Sequence, residues 1–201
     1  MGAEEKSEIV IDFLYSVDVS IFFFINQTLA NPVFDWLMPF LTDLNKQKPV
    51  LIILPFVIGL ILWKGGSKGR ITVGVLIATV IVSDQINSSI LKEVFGRIRP
   101  CRALDGVRML VDCGGGLSFP SSHAVNNFAG ASVVSHFYKE QKWYWYAFAF
   151  LVAFSRPYVG VHYPSDILAG SLIGIGIGFL TTYLWKIFSQ KFQETNFNTP
   201  R

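Results

Sequence analysis

Residues 70–91 of this chain, RITVGVLIATVIVSDQINSSIL, are mostly apolar and lead directly into Lys92. A helix that crosses a bilayer needs about 20 such residues. Four further segments come close to this length, and they lie at 48–64, 122–138, 142–158 and 166–188. The five segments predict an all-α integral membrane helical bundle, in which the polar residues of each span face the interior.

The composition agrees with a membrane protein. Charged residues make up 15% of the 201 residues, and hydrophobic residues make up 51%. Typical soluble domains contain about 25% charged residues. The formal net charge is only +3, and the basic residues form no stripe, so we expect no nucleic-acid partner. We expect one domain over residues 1–201, and the sequence does not indicate its oligomeric state.

The first 47 residues allow two interpretations. The segment 9–26 is apolar but contains Asp12 and Asp18, and the apolar segment 33–41 is too short to span. Residues 1–47 therefore form either two amphipathic helices at the membrane surface or include a sixth span near 8–28. We favour the surface helices, because a span would place both carboxylates in the hydrocarbon. The prediction is five to six spans, with the transmembrane core at 48–188.

Three short polar patterns interrupt the apolar chain. They are Lys92-(six residues)-Arg99-Pro100, then Pro120-Ser121-Ser122-His123, then Ser155-Arg156-(five residues)-His162-(three residues)-Asp166. Within 75 residues they supply three cations, two histidines, a carboxylate and a hydroxyl-rich segment. Such a set of groups can bind a phosphate, attack it and protonate the leaving group.

The residue types suit separate parts of this chemistry. Lys92, Arg99 and Arg156 offer positive charge to phosphate oxygens, although any one of them alone could simply meet lipid headgroups. Ser121 stands at a predicted helix start, where free N–H groups bind phosphate, and an ordinary N-cap would have the same sequence. His162 and Asp166 are spaced as a histidine with its orienting carboxylate. The residues alone leave open which histidine attacks the phosphate.

The three patterns, in this order, resemble the signature of the type 2 phosphatidic acid phosphatase family. The resemblance implies that His162 is the nucleophile and forms a phosphohistidine, that Asp166 orients it, and that His123 is the general acid. It also implies that Lys92, Arg99, Ser121, Ser122 and Arg156 bind the phosphate, without a metal or other cofactor. Ser122 stands where the family often has glycine, and we interpret it as a tolerated variant.

Several substrates fit such an enzyme. Our first choice is the 1-phosphate of lipid A, and undecaprenyl diphosphate and phosphatidylglycerophosphate are alternatives. Two alternatives from other classes would use the same cations. A vanadium haloperoxidase would bind vanadate with them, and a non-enzymatic lipid carrier would bind the lipid phosphate without releasing it. In the predicted 92–121 loop, three further arginines are candidate headgroup contacts: Arg97, Arg102 and Arg108.

The side of the membrane follows from connectivity and from two cysteines. With five spans, the three patterns share one side, and the basic residues are almost evenly divided between the two sides. Six of the basic residues on the side of the patterns lie near the patterns, and substrate binding explains several of them better than topology does. Without these six, most basic residues lie on the other side, and the positive-inside rule makes that other side cytoplasmic. Cys101 and Cys113 lie in the same loop. They either form a disulfide, which would indicate an oxidising compartment, or remain two free thiols. We expect a multi-pass protein of the cytoplasmic membrane whose site faces the extracytoplasmic side.

Overall fold

The computed structural model describes residues 2–197, which form helices joined by short connections and contain no strand. The helices are α1 Ala3–Phe23, α2 Pro32–Thr42, α3 Lys48–Lys64, α4 Gly66–Ile86, α5 Lys92–Phe95, α6 Pro100–Ala103, α7 Ser122–Phe137, α8 Lys142–Tyr158 and α9 Pro164–Phe197. Two π-helical turns, Phe24–Thr28 and Asn87–Leu91, extend α1 and α4. The prediction of an all-α membrane bundle is confirmed.

The five predicted spans correspond closely to α3, α4, α7, α8 and α9. Among the described residues, two helical stretches are long and apolar enough to cross a membrane by themselves, Gly66–Ala103 and Pro164–Lys191. Helix α3 has no buried residue, and its Leu51, Ile52 and Phe56 are each more than half exposed. This surface suits contact with lipid, because apolar side chains lose nothing by facing acyl chains.

The closest helix pair, α7 and α9, meets at glycines spaced four residues apart. A Cβ atom at Gly174 would lie 2.3 Å from the carbonyl oxygen of Val125, and one at Gly178 would lie 2.5 Å from the Cβ of Ser132. Gly170 faces α7 in the same way, near Ser121. Small residues at this spacing let two helix backbones approach closely inside a membrane. We call this contact, at Gly170, Gly174 and Gly178, the glycine seam.

Helix α1 packs on the N-terminal end of α9 through Asp18 and Phe22. The Phe22 ring lies 5.8 Å from that of Tyr163, and the buried Asp18 carboxylate is 2.6 Å from Arg97 Nη2. Because Asp18 is paired inside the protein, it no longer argues against a span. The apolar residues Ile9, Val10, Ile11, Phe13 and Leu14 are exposed around α1, and Asp12 among them is exposed as well. The pairing of Asp18 thus removes one of the two carboxylates that speak against a sixth span, and the exposed Asp12 remains, so the number of spans stays a prediction.

Candidate active site

His162 and Asp166 lie together where α8 gives way to α9. Asp166 is in the first turn of α9, and His162 is in the connection before it. The distance from His162 Nδ1 to Asp166 Oδ2 is 3.2 Å, and both side chains are buried. A carboxylate only accepts hydrogen bonds, so this contact assigns the proton to Nδ1 and leaves the lone pair on Nε2. The ring is therefore prepared to attack with Nε2.

The Asp166 carboxylate has three more donors. The Ser118 hydroxyl and the Tyr163 N–H (2.8 Å) donate to Oδ2, and Arg97 Nη1 donates to Oδ1 at 2.7 Å. Because every contact is buried or partly buried, the carboxylate has one orientation. The orientation of His162 is set in turn.

His162 is neutral at physiological pH. Burial and, to a smaller extent, the nearby Arg156 lower the pKa of its imidazole from the ordinary 6.5 to about 3, against the raising effect of Asp166. A neutral imidazole is the form that acts as a nucleophile.

Three cations converge on the same end of the bundle. Lys92 lies within electrostatic range of Arg99 and Arg156, and both arginines are only 8% exposed. Lys92 Nζ donates to the Leu117 carbonyl at 2.9 Å. Arg156 Nε is buried and has no hydrogen-bond partner among the described residues. Buried like charges repel each other, and an anion bound between them would offset this repulsion, so the cluster could hold one.

The start of α7 adds donors to this cluster. Ser121 is the N-cap residue, but its side chain makes no capping hydrogen bond, and its buried Oγ has no partner in the part of the chain described here. The first amides of a helix have no partner within the helix, and together with the macrodipole they attract anions. The Ser121 N–H donates to the Asp166 carbonyl at 3.2 Å, which holds the starts of α7 and α9 side by side.

His123 belongs to the first turn of α7, and its ring reaches α2. Its Nε2 is 3.1 Å from the Thr42 carbonyl oxygen, and the Thr42 hydroxyl lies 2.5 Å from that of Ser155. A carbonyl accepts, so Nε2 carries the proton in this contact. When both ring nitrogens are protonated, His123 can donate a proton from Nε2, and its ring is also near Arg156.

The structure changes the interpretation of two predicted contacts. Ser122 Oγ accepts a hydrogen bond from Asn87 Nδ2 at 2.8 Å, so the hydroxyl faces α4 and the backbone N–H is what Ser122 offers to a phosphate. Arg97 is enclosed by two carboxylates rather than free for a headgroup.

The other predicted residues in the loop have clear places. Arg108 pairs with Asp35 of α2 at a partly exposed position, so its charge is balanced by that carboxylate. Arg102 donates to the Gly114 carbonyl and is exposed, which leaves it as the remaining headgroup candidate of the three. Cys101 and Cys113 are joined in a disulfide with a Cα–Cα distance of 6.0 Å.

Sequence reasoning missed four contributors to this site. Ser118, Thr42 and Asn87 are single polar residues that carry no recognisable pattern. Asp18 did carry a signal, since a carboxylate in an apolar segment marks a functional or paired position. No three His, Cys, Asp or Glu side chains of the described residues are grouped so as to hold a metal ion.

Comparison with known proteins agrees with this geometry. The sequence profile described as PAP2 superfamily matches residues 71–189, which include all three polar patterns. A lipid A 4'-phosphatase of Bacteroides thetaiotaomicron is 29% identical over 184 residues, covering 87% of this chain and 80% of the relative.

Two solved structures have the same fold. LpxE of Aquifex aeolicus has a TM-score of 0.66 at 28% identity, over 82% of this chain and 94% of LpxE. A transmembrane PAP2-type phosphatidylglycerolphosphate phosphatase from Bacillus subtilis has a TM-score of 0.59 at 26% identity, over 89% of this chain and 87% of the other. The chain therefore belongs to the PAP2 superfamily, and it is a phosphoric ester hydrolase.

Proposed function

We propose that this protein removes a phosphate from a membrane lipid through a phosphohistidine on His162. The observation that carries the proposal is the buried His162–Asp166 pair beside buried donors without partners, Ser121 Oγ and Arg156 Nε. Donors of this kind are costly to bury unless an anion accepts from them.

The reaction runs in two steps. In the first, the lone pair of His162 Nε2 forms a bond to phosphorus while the bond from phosphorus to the ester oxygen breaks. His123, protonated on both ring nitrogens at this point, gives its Nε2 proton to that leaving oxygen and becomes neutral, and the leaving oxygen replaces the Thr42 carbonyl as its partner. In the second, neutral His123 takes a proton from water, the water oxygen attacks phosphorus, and the bond from phosphorus to His162 breaks. Inorganic phosphate leaves and both histidines return to their starting forms.

Lys92, Arg99 and Arg156 stabilise the charge on the three equatorial oxygens in both steps. Phosphoryl transfer depends mainly on such positioning and charge stabilisation. The amides of the first turn of α7 and the Ser121 hydroxyl complete the set of donors. All of these groups are held by α4–α9, so they require little rearrangement when the phosphate binds.

Lipid A is the substrate that we propose first, with its 1-phosphate as the leading position. Similarity to a lipid A 4'-phosphatase over most of both chains supports the lipid, while the position of the phosphate is a separate question. Undecaprenyl diphosphate and phosphatidylglycerophosphate remain alternatives. The basic residues of the 92–121 loop support lipid A less strongly than their number indicates, because Arg97 and Arg108 are paired with carboxylates.

The test is phosphate release by purified protein in detergent with EDTA. The panel contains lipid A bearing only the 1-phosphate, lipid A bearing only the 4'-phosphate, and the two alternative lipids. We expect release by the wild type and by His136→Ala, a matched control at an exposed histidine, and none by His162→Ala. An acid-labile phosphoryl label on the wild type alone would establish the intermediate. Binding of every lipid without release would instead support the carrier.

We also propose that the site faces the extracytoplasmic side of the cytoplasmic membrane. The disulfide in the loop of the site supports this orientation, since disulfides persist in oxidising compartments. Cys101 and Cys113 are the only two cysteines of the chain, so they report directly on accessibility. In intact cells, a membrane-impermeant maleimide should label them after mild reduction. In a Ser67→Cys variant from which Cys101 and Cys113 have been removed, the maleimide should label the new cysteine only after lysis. The reverse pattern would contradict the orientation.

A further inference from the structure

Arg97 lies between two carboxylates from opposite ends of the sequence. Its Nη1 is 2.7 Å from Asp166 Oδ1, and its Nη2 is 2.6 Å from Asp18 Oδ2. Asp166 is held by α9 and orients His162, whereas Asp18 belongs to α1, outside the residues 71–189 that match the family profile. A planar guanidinium is well suited to fix two carboxylates at once.

The Asp18 carboxylate is itself fixed on the side away from Arg97. The Ser165 N–H donates to Asp18 Oδ1 at 2.9 Å, and the Ser165 hydroxyl donates to Oδ2. The same hydroxyl accepts from Arg97 Nη1 at 2.7 Å. Asp18 therefore binds the first turn of α9 directly and through Arg97, next to the residue that orients the nucleophile.

Aromatic rings and an apolar cavity surround Arg97. Its guanidinium carbon lies 3.8 Å from the ring centroid of Tyr163 and 5.9 Å from that of Tyr15. A cavity of about 900 Å³ lies against the pair and is lined mainly by apolar side chains. In such surroundings an unpaired charge is costly, so Arg97 and Asp18 depend on each other.

We propose that Asp18 and Arg97 are positioning residues for the proposed reaction, so that His162, Asp166, Arg97 and Asp18 form one hydrogen-bonded chain. Arg97 holds Oδ1 of Asp166, which leaves Oδ2 directed at His162 Nδ1. Asp18 holds Arg97 in that place. Helix α1 thus contributes to catalysis through its docking, and this inference rests on the proposed role of His162.

The test measures kcat and KM for Asp18→Asn and Arg97→Met, with Arg97→Lys as the conservative variant. Asp12→Asn makes the same change at an exposed position of α1, and Arg70→Met does so for an exposed arginine. Folding is checked by size-exclusion profile and thermal melting, and His162→Ala is assayed in parallel.

We expect kcat to fall about 10- to 100-fold in Asp18→Asn and Arg97→Met, the range seen when an outer partner of a functional histidine is removed. KM should change less than about threefold, since neither side chain meets the substrate. Arg97→Lys should recover part of the loss, because it keeps the charge but not the fork. Both controls should resemble the wild type.

The pH dependence gives a readout that a merely structural role would not move. The charged groups near Asp166 and His162 are Arg97 and Asp18, and also the three proposed phosphate-binding cations, Lys92, Arg99 and Arg156. Removing the Arg97 charge leaves the Asp166 carboxylate free to stabilise protonated His162. The acid limb of kcat/KM in Arg97→Met should therefore move to higher pH, while loss of folded protein would lower the profile without moving it.

Distinct outcomes overturn the inference and the proposed function. A folded Asp18→Asn protein with unchanged kcat, beside an inactive His162→Ala, would overturn the role of Asp18 alone. A raised KM with unchanged kcat in Arg97→Met would make Arg97 a headgroup contact instead. Full activity in His162→Ala, or none in the wild type, would contradict the proposed function itself.

Discussion

Helix α3 and the glycine seam both belong to apolar segments of the sequence but behave differently in the fold. Helix α3 presents large side chains outward and buries none of its residues. At the seam, Gly174 and Gly178 face the α7 backbone so closely that a methyl group would collide with it. Hydrophobicity places a helix in the membrane, whereas small residues decide which helices meet. The proposed catalytic groups stand at the end of the seam, because its close packing holds the starts of α7 and α9 together.

The largest effect should come from the nucleophile at the end of the seam. In His162→Ala we expect the rate of phosphate release to fall on the order of 10⁴-fold or more, as when the nucleophile of a covalent mechanism is removed. The protein should remain folded. Steady-state phosphate release under substrate saturation measures this, with His136→Ala as the control. Residual activity above one hundredth of wild type would show that another group attacks.

The second effect separates the seam from α3 directly. Gly174→Val should destabilise the protein by about 3 kcal/mol, the upper end of the usual cost of overpacking, because a side chain in this closed contact forces the backbones apart. Gly59→Val is the matched change in α3, where a Cβ meets nothing within 4 Å, and it should be close to neutral. Thermal melting in detergent checks both. Equal melting temperatures would contradict the seam as the site of close packing.

The third effect concerns the loop that covers the end of the seam. Replacing Cys101 and Cys113 together by serine removes a cross-link across 12 residues. The chain-entropy model gives a loss of up to about 3 kcal/mol. Because the loop also holds Arg99 and the Leu117 carbonyl that Lys92 contacts, KM should rise more than kcat falls. A KM equal to that of the wild type would show that the loop keeps its shape without the bond.

The smallest effect is a pH dependence of stability at His162. Its pKa is lowered to about 3, so between pH 6.5 and 3 the unfolded chain binds a proton that the folded chain does not. The contribution is complete above pH 6.5 and is lost as the pH falls, by about 2 kcal/mol at pH 5.

The measurement is the change in melting temperature between pH 7.5 and pH 5. His162→Gln should show a smaller decrease than the wild type, and His136→Gln should behave like the wild type. An identical decrease in all three proteins would mean that His162 takes up its proton as readily in the folded state as in the unfolded chain.

Much of the fold was predictable because membrane helices carry their signal locally. The five apolar segments match α3, α4, α7, α8 and α9 closely. The N-terminal region was harder, since Asp18 reads as an argument against a span until its partner Arg97 is known. A sequence shows that a charge is present, and only the fold shows whether the charge is neutralised.

The site divides in the same way. The spacing of His162 and Asp166 was informative because residues four apart at a helix start lie close together. The direction of the Ser122 hydroxyl could not be predicted from the sequence, because it is set by a hydrogen bond from Asn87 in another helical segment. The spacing of Gly170, Gly174 and Gly178 was visible in the sequence, and it could have identified the face of α9 that meets α7.

By itself, the sequence determined that the chain is a membrane bundle, which residues are candidates for its chemistry and which superfamily they resemble. These properties depend on composition and short spacings, which are local. The tertiary structure decided which cations remain available to a phosphate, which are paired inside the protein, and that α1 reaches the nucleophile through Asp18 and Arg97. Those outcomes depend on contacts between residues up to 148 positions apart, such as Tyr15 with Tyr163, and no local pattern encodes them.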